Sequence, residues 1–172
     1  GDIVHYNRLG QRLYIQAHWT LVRDAAGEPR AMLAVCTDVT QSRRDRERIH
    51  YLAFFDSLTG LPNRTLLMDR LQQALAASQR HCEYGALIFL DLDHFKALND
   101  TRGHAVGDQL LQQVGARLQQ SVRSMDTVAR LGGDEFVILL EQLGDDPAVA
   151  VAQAQVVAHK MLASFSAPFL LG

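Results

Sequence analysis

Cysteine is nearly absent from this chain, with two in 172 residues, Cys36 and Cys82. They show no metal-ligand spacing and read as small fillers in separate domains. A disulfide framework is thereby disfavoured, and a reducing, cytoplasmic setting fits. An excess of positive charge is missing too. The 17 Lys and Arg stand against 19 Asp and Glu, a formal net charge of -2. The chain therefore offers no basic field to nucleic acid. No apolar run approaches the length of a membrane span, and no secretory signal is visible. An anchor upstream of residue 1 stays open, because the numbering reads as starting inside a longer protein. Internal repeats and low-complexity stretches are lacking as well, and the length allows a sizeable core.

What the chain does have is two apolar runs bounded by carboxylates. Residues 136–140 read as a buried central strand. They follow a hairpin, Arg130-Leu131-Gly132-Gly133-Asp134-Glu135, centred on Gly132 and Gly133, whose glycine pair suits a two-residue turn needing positive φ. Ala86–Leu90 is the second run. It also reads as a strand in the middle of a sheet, and it ends in Asp91-Leu92-Asp93. If the two strands are neighbours, Asp91 and Asp134 meet at one edge, where facing carboxylates repel unless a cation neutralises them. Hard oxygen ligands favour Mg²⁺, shared with substrate phosphates. A solvated turn accounts for either acidic end alone, but poorly for both.

Residues 1–40 behave differently from the rest. Over 13–21 apolar side chains alternate (Leu13, Ile15, Ala17, Trp19, Leu21), which predicts a half-buried antiparallel strand. Residues 24–29 form a turn and 31–39 a second strand. Two or three strands make no stable domain by themselves, so this segment reads as the end of a larger one. Residues 41–50 are dense in charge and lack Gly and Pro, predicting an exposed connecting helix that runs into Ile49, Leu52 and Phe55. A dimerising coiled coil there would need more heptads than the segment holds. After a turn-rich stretch, 56–64, the pattern predicts a helix with Leu67, Leu71 and Leu75 on one face and the strand at 86–91. A short helix near 94–102, a loop over 103–108, and a longer helix carrying Leu110, Leu111, Val114, Leu118 and Val122 come next. The hairpin follows, then a helix capped by Asp145-Asp146-Pro147 that ends near Phe165. This order predicts an α+β fold, a ferredoxin-like or palm-like sheet with helices packed on it.

Three segments, DSLTGLPNR (56–64), DLDHFKALNDTRGHAVGD (91–108) and RLGGDEF (130–136), resemble the GGDEF domain of diguanylate cyclases in order and spacing. The resemblance covers about residues 53–172. It implies a palm-like fold related to class III nucleotide cyclases and a reaction in which two GTP become cyclic di-GMP and two pyrophosphates. It also implies that Asp91, Asp134 and the Leu92 carbonyl hold two Mg²⁺ or Mn²⁺ ions, with Glu135 supporting them or accepting a proton. Gly132 and Gly133 are implied to let the backbone approach the nucleotide. Phe95 and Lys96 are implied to wrap the β- and γ-phosphates, and Asn99 and Asp108 to read guanine. The residue chemistry agrees. Attack of a ribose 3′-hydroxyl on an α-phosphate needs in-line positioning and charge neutralisation, which carboxylate-bound metals provide. A helix start attracts anions. A carboxylate accepts from guanine N1 and N2, while an amide both donates and accepts. Outside the motif, Asn99 reads as a helix-end residue, Asp108 as an N-cap and Arg130 as a locally salt-bridged strand residue. His104 reads as a structural hydrogen-bonding residue, and His94 as a residue at the surface or near the phosphates. Arg123 and Asp126, an RxxD ahead of Gly132, match the inhibitory site at which the family's product binds. Taken alone they are a helix-end arginine and an Asp opening a strand.

The first forty residues resemble the last strands of a PAS sensor domain, through the alternating strand, the turn, and Thr37-Asp38-Val39-Thr40 leading into a charged helix. The expected organisation is PAS strands over 1–40, a signalling helix over 41–55, and a GGDEF domain over 56–172. That domain stops before the further strand and basic helix with which the family continues, and a missing strand leaves apolar sheet exposed. On this reading the protein is a PAS-regulated diguanylate cyclase that acts as a homodimer and is restrained by its product. The alternative is a GTP-binding regulatory domain ahead of an EAL-type phosphodiesterase. A third reading is a structural dimerisation module with solvated acids.

Overall fold

A computed structural model describes residues 2–171, which divide after Tyr51 into two compact units. The first is an antiparallel sheet in the order β1 (Asp2–Tyr6), β2 (Arg12–Arg23), β3 (Pro29–Asp38). The β2–β3 turn is set by Asp24, whose carboxylate accepts from the amides of Ala26 and Glu28. The alternation over 13–21 does form a strand, but burial does not follow it. Ala17 is buried, whereas Trp19 is 59% exposed and Leu21 44%. Trp19 lies opposite Ala34 and Leu21 opposite Met32, so an apolar face is built. Among the described residues this unit consists of one sheet and the start of one helix, with no second layer to cover that face.

Helix α1 (Thr40–Phe54) starts on the sheet. Thr40 donates its amide to Asp38 Oδ1 at 2.9 Å and accepts from the Tyr14 amide at 2.8 Å. The Val39 amide donates to the Tyr14 carbonyl, and the Arg43 guanidinium lies 4.3 Å from the Tyr14 ring centroid. Along α1, residues 41–50 are exposed, as their charge density predicts, and the apolar Ile49 and Leu52 are exposed as well.

The second unit runs α2 (Arg64–His81), β4 (Ala86–Leu90), α3 (Phe95–Arg102), α4 (His104–Ser121), β5 (Thr127–Gly132), β6 (Glu135–Leu140), α5 (Pro147–Phe165). Its sheet has the order β4-β6-β5, antiparallel throughout. Alternate residues of β6 face opposite layers. Phe136, Ile138 and Leu140 join Leu111, Val114, Leu118 and Met161 on the α4 and α5 side, while Val137 and Leu139 join Leu67 and Ala129 under α2. A strand buried on both faces reads as a continuous apolar run, and burying Phe136 alone stabilises the fold by roughly 1.5–3 kcal/mol. Asn63 caps α2 by accepting from the amides of Thr65 and Leu66, and Asp146 caps α5 with Pro147 at its first position. Among the described residues, no helix is long and apolar enough to cross a membrane.

Three local expectations are corrected here. β4 lies at the edge of this sheet rather than in its middle, and Leu87 and Phe89 are 41% and 73% exposed. Residues 103–108 are not a loop. Gly103 alone, at φ +84°, turns the chain from α3 into α4. The hairpin turn is Gly133-Asp134, one residue beyond the expected centre, because Gly132 pairs with Glu135 after a register shift in β5.

Candidate functional site

The β5–β6 turn is held from one side by Arg130. Its Nε and Nη2 donate to the Gly133 carbonyl at 3.0 and 2.7 Å, and its Nη1 donates to Asp56 Oδ1 at 2.9 Å. Its backbone amide donates to the Pro62 carbonyl. The expected local salt bridge is therefore a long-range one, to a carboxylate 74 residues earlier in the chain. Asp56 also accepts from the amide and hydroxyl of Thr59. Burial pushes its carboxyl up, but the hydrogen bonds from Thr59 and Arg130 outweigh burial and hold it below the ordinary carboxylate value. Gly132, the last residue of β5, and Gly133, in the turn, both have positive φ, +145° and +52°, which a side chain would resist.

Register brings the acidic strand ends together. Leu90 pairs with Phe136, so Asp91 and Glu135 emerge side by side at one end of the sheet. Both line a cavity of about 370 Å³ that also takes in Arg64 and Leu131. Asp134, half-buried, forms the turn itself. The Leu92 carbonyl accepts from the Phe95 amide at 3.2 Å, which leaves it a second lone pair. Among the described residues no three His, Cys, Asp or Glu side chains are grouped as a metal-binding set. The three expected ligands, Asp91, Asp134 and the Leu92 carbonyl, would offer oxygen donors only. One or two carboxylates completed by phosphate and water is the arrangement that suits Mg²⁺.

Beyond Asp93 the chain enters α3 through His94, which has φ +62° and makes no side-chain capping bond. The α3 terminus, with Phe95 half-buried and Lys96 exposed, is thus uncapped by that residue. Asn99 lies in the last turn of α3, as expected, and its side-chain oxygen is buried against Gly107. Asp108 is exposed and is the fifth residue of α4, so it is not the N-cap that the residue alone suggests. The sequence puts it directly after the glycine that Asn99 touches. His104 opens α4 and is exposed.

Arg123 and Asp126 stand between α4 and β5. One Asp126 oxygen accepts from the Arg123 amide at 2.9 Å and the other from the Glu141 amide at 3.3 Å. Both residues line a cavity of about 310 Å³ walled by Leu140, Leu143 and α5. Glu141 has its carboxyl raised, by burial and then by the Asp126 charge, against an opposing pull from Arg70.

Sequence reasoning missed two anchors. One is the Arg130–Asp56 pair. The other is Arg117, which donates to the carbonyls of Ser164, Ala167 and Pro168 and lies 3.8 Å from the Phe169 ring centroid. A lone arginine within the apolar stripe of α4 was the available signal for the second. The first has no local signal.

Residues 53–171 match the family described as diguanylate cyclase, GGDEF domain. MucR of Pseudomonas aeruginosa, a bifunctional diguanylate cyclase/cyclic di-GMP phosphodiesterase, is 48% identical over 128 residues, covering 74% of this chain and 18% of MucR. Diguanylate cyclase TpbB of the same species is 44% identical over 119 residues, covering 69% of this chain and 26% of TpbB. The structure of TpbB comprising only its GGDEF domain aligns with a TM-score of 0.64 at 43% identity, covering 69% of this chain and 66% of that one. The chain thus spans about a fifth to a quarter of the length of these curated relatives. With the family match running from the end of α1 through the whole α+β unit, the chain belongs to the GGDEF diguanylate cyclase domain family.

Proposed function

We propose that this chain is the catalytic module of a diguanylate cyclase, binding one GTP per protomer and joining two GTP across a homodimer into cyclic di-GMP, with two pyrophosphates released. The observation that carries the reading is the meeting of Asp91 and Glu135 at one end of the sheet, beside a glycine turn clamped by Arg130. Asp91, Asp134 and the Leu92 carbonyl would hold Mg²⁺ or Mn²⁺, two ions per active site. When bound, these ions neutralise phosphate charge and acidify the attacking hydroxyl. Glu135, exposed beside Asp91, takes up the proton of the ribose 3′-hydroxyl. Lys96 and the start of α3 draw in the β- and γ-phosphates. Gly132 and Gly133 present bare backbone to the nucleotide. Asn99 and Asp108 read the guanine edge, the carboxylate accepting from N1 and N2.

Two regulatory features belong to the same reading. Cyclic di-GMP binds Arg123 and Asp126 as product and inhibitor, the arginine forking onto phosphate. The first forty residues end a PAS sensor domain whose state reaches the cyclase through the helix at 41–55, which joins it to the domain at 56–172. A second reading draws on MucR, whose name pairs the cyclase with a phosphodiesterase. In that reading the chain binds GTP to regulate a downstream EAL domain.

The test is incubation of the full-length protein with GTP and Mg²⁺, alongside its Asp134→Ala variant, with cyclic di-GMP detected by mass spectrometry. Product is expected from the unmodified protein, and at least about 100-fold less from the variant, as when a group that stabilises transition-state charge is lost. Equal turnover by both removes the metal assignment. GTP binding without product from either shifts the reading to the regulatory domain.

A further inference from the structure

Gly107 sits inside α4 in backbone that any residue adopts, since it does not occupy the positive-φ region reserved for glycine. Glycine is a poor helix residue, so its presence there calls for a reason other than conformation. The reason lies in its surroundings. Gly107 is buried, and a Cβ built on it would collide with Asn99 Oδ1, lying 3.0 Å from Asn99 Cγ and 3.2 Å from Phe95 Cζ. Asn99 Oδ1 is also the buried side-chain oxygen with no hydrogen-bond partner among the described residues. Buried acceptors are nearly always paired, and one left open is costly unless something else supplies a donor. The carboxamide oxygen therefore occupies the space that a side chain at 107 would fill.

We propose that Gly107 is a positioning residue for base selection: its missing side chain lets the Asn99 carboxamide fold against α4, where it is held to meet the 2-amino edge of guanine. The inference rests on the reading of Asn99 as a guanine-contacting residue and adds what fixes it. An asparagine on a packed helix has only χ1 and χ2 with which to escape a new methyl group. Ala at 107 turns the amide away, and Asp108, next in the chain, is left to hold the base alone. A purine bearing the 2-amino group then loses a partner, whereas a purine without that group loses nothing. A purely structural role for Gly107 would weaken both purines alike.

The experiment measures binding of α,β-methylene GTP and α,β-methylene ITP to the full-length protein in Mg²⁺. The unmodified protein is expected to prefer the guanine analogue by roughly ten-fold or more, because Asn99 and Asp108 both meet the 2-amino group. N99A is expected to fall to a preference under about three-fold, the remainder coming from Asp108. G107A is expected to fall to a preference under about three-fold, with binding of the inosine analogue within about two-fold of the unmodified protein. If N99A keeps the full preference, the guanine reading fails and the inference falls with it. If N99A loses the preference and G107A keeps it, the reading stands and the inference is overturned. Should G107A not fold, the N99A/G107A chain decides. With the carboxamide removed there is room for the methyl group, so the double variant folds and binds both analogues as N99A does. A double variant that stays unfolded overturns the proposal.

Discussion

Arg130 shows how much of the site depends on single side chains outside the acidic motif. Its guanidinium makes three hydrogen bonds, two to the Gly133 carbonyl and one to Asp56, and its side chain is only 10% exposed. A lysine retains the charge but cannot fork between two acceptors. Arg130→Lys is expected to destabilise the domain by about 1–3 kcal/mol, read by urea unfolding, because it strands a partly buried carboxylate. It is also expected to lower turnover beyond the loss of folded protein, since the turn carrying Asp134 is no longer pinned. The partner carboxylate gives a signature in pH. The Asp56 carboxyl is depressed in the folded chain, so its contribution is full above its ordinary value of 3.8 and is lost as pH falls through the lowered folded value. Asp56→Asn should therefore melt earlier than the unmodified chain at pH 7, with the two melting points converging as pH drops below 3.8. A gap that persists unchanged in acid would mean that the carboxylate charge does not contribute.

At the scale of elements, legibility followed locality. The five-residue run of β6 could be read because a strand buried on both faces has no polar positions, and caps such as Asp146-Pro147 announce themselves within three residues. The run in β4 looked the same, yet β4 became an edge, because sequence records the apolar character of a strand and not how many neighbours it finds. The misread loop at 103–108 has a similar cause. Gly103 and Gly107 both look like turn residues, but only Gly103 takes positive φ, while Gly107 is a packing residue inside a helix. The sequence paired Asp91 with Asp134, whereas the register sets Asp91 beside Glu135, and the bridge from Arg130 to Asp56 was not legible at all, since nothing periodic links positions so far apart. The contrast between strands is measurable. Phe136 is fully buried and Phe89 is 73% exposed. Phe136→Ala is expected to cost about 3–5 kcal/mol, enough to unfold much of the population, while Phe89→Ser in this chain shifts stability by less than about 0.5 kcal/mol. Similar losses in urea melts of the two variants would show that β4 is covered as well as β6.

For the whole molecule, the proposed inhibition poses the question of how a product made at one end of the sheet would restrain its own synthesis from another. The acidic pair and turn sit where β4 ends and β6 begins, whereas Arg123 and Asp126 precede β5, beside the opposite end of β6 at Glu141. The two members of that second site are not equivalent. Both Asp126 oxygens receive backbone amides, so Asp126 supports the fold whatever else it does, while Arg123 is exposed and contributes its own amide to that turn. Removing the Arg123 side chain therefore deletes an exposed cation without disturbing those bonds, and removing Asp126 disturbs both. If cyclic di-GMP inhibits through this corner, Arg123→Ala raises the concentration for half-maximal inhibition about ten-fold or more, the loss of one charge-assisted contact, with no fall in melting temperature. Asp126→Ala raises it too, but with a lower melting temperature, since two backbone amides lose their acceptor. Inhibition assayed by pyrophosphate release at increasing cyclic di-GMP separates these outcomes. An Arg123→Ala enzyme inhibited as strongly as its parent would leave the arginine as a helix-end residue and place product control elsewhere in the protein.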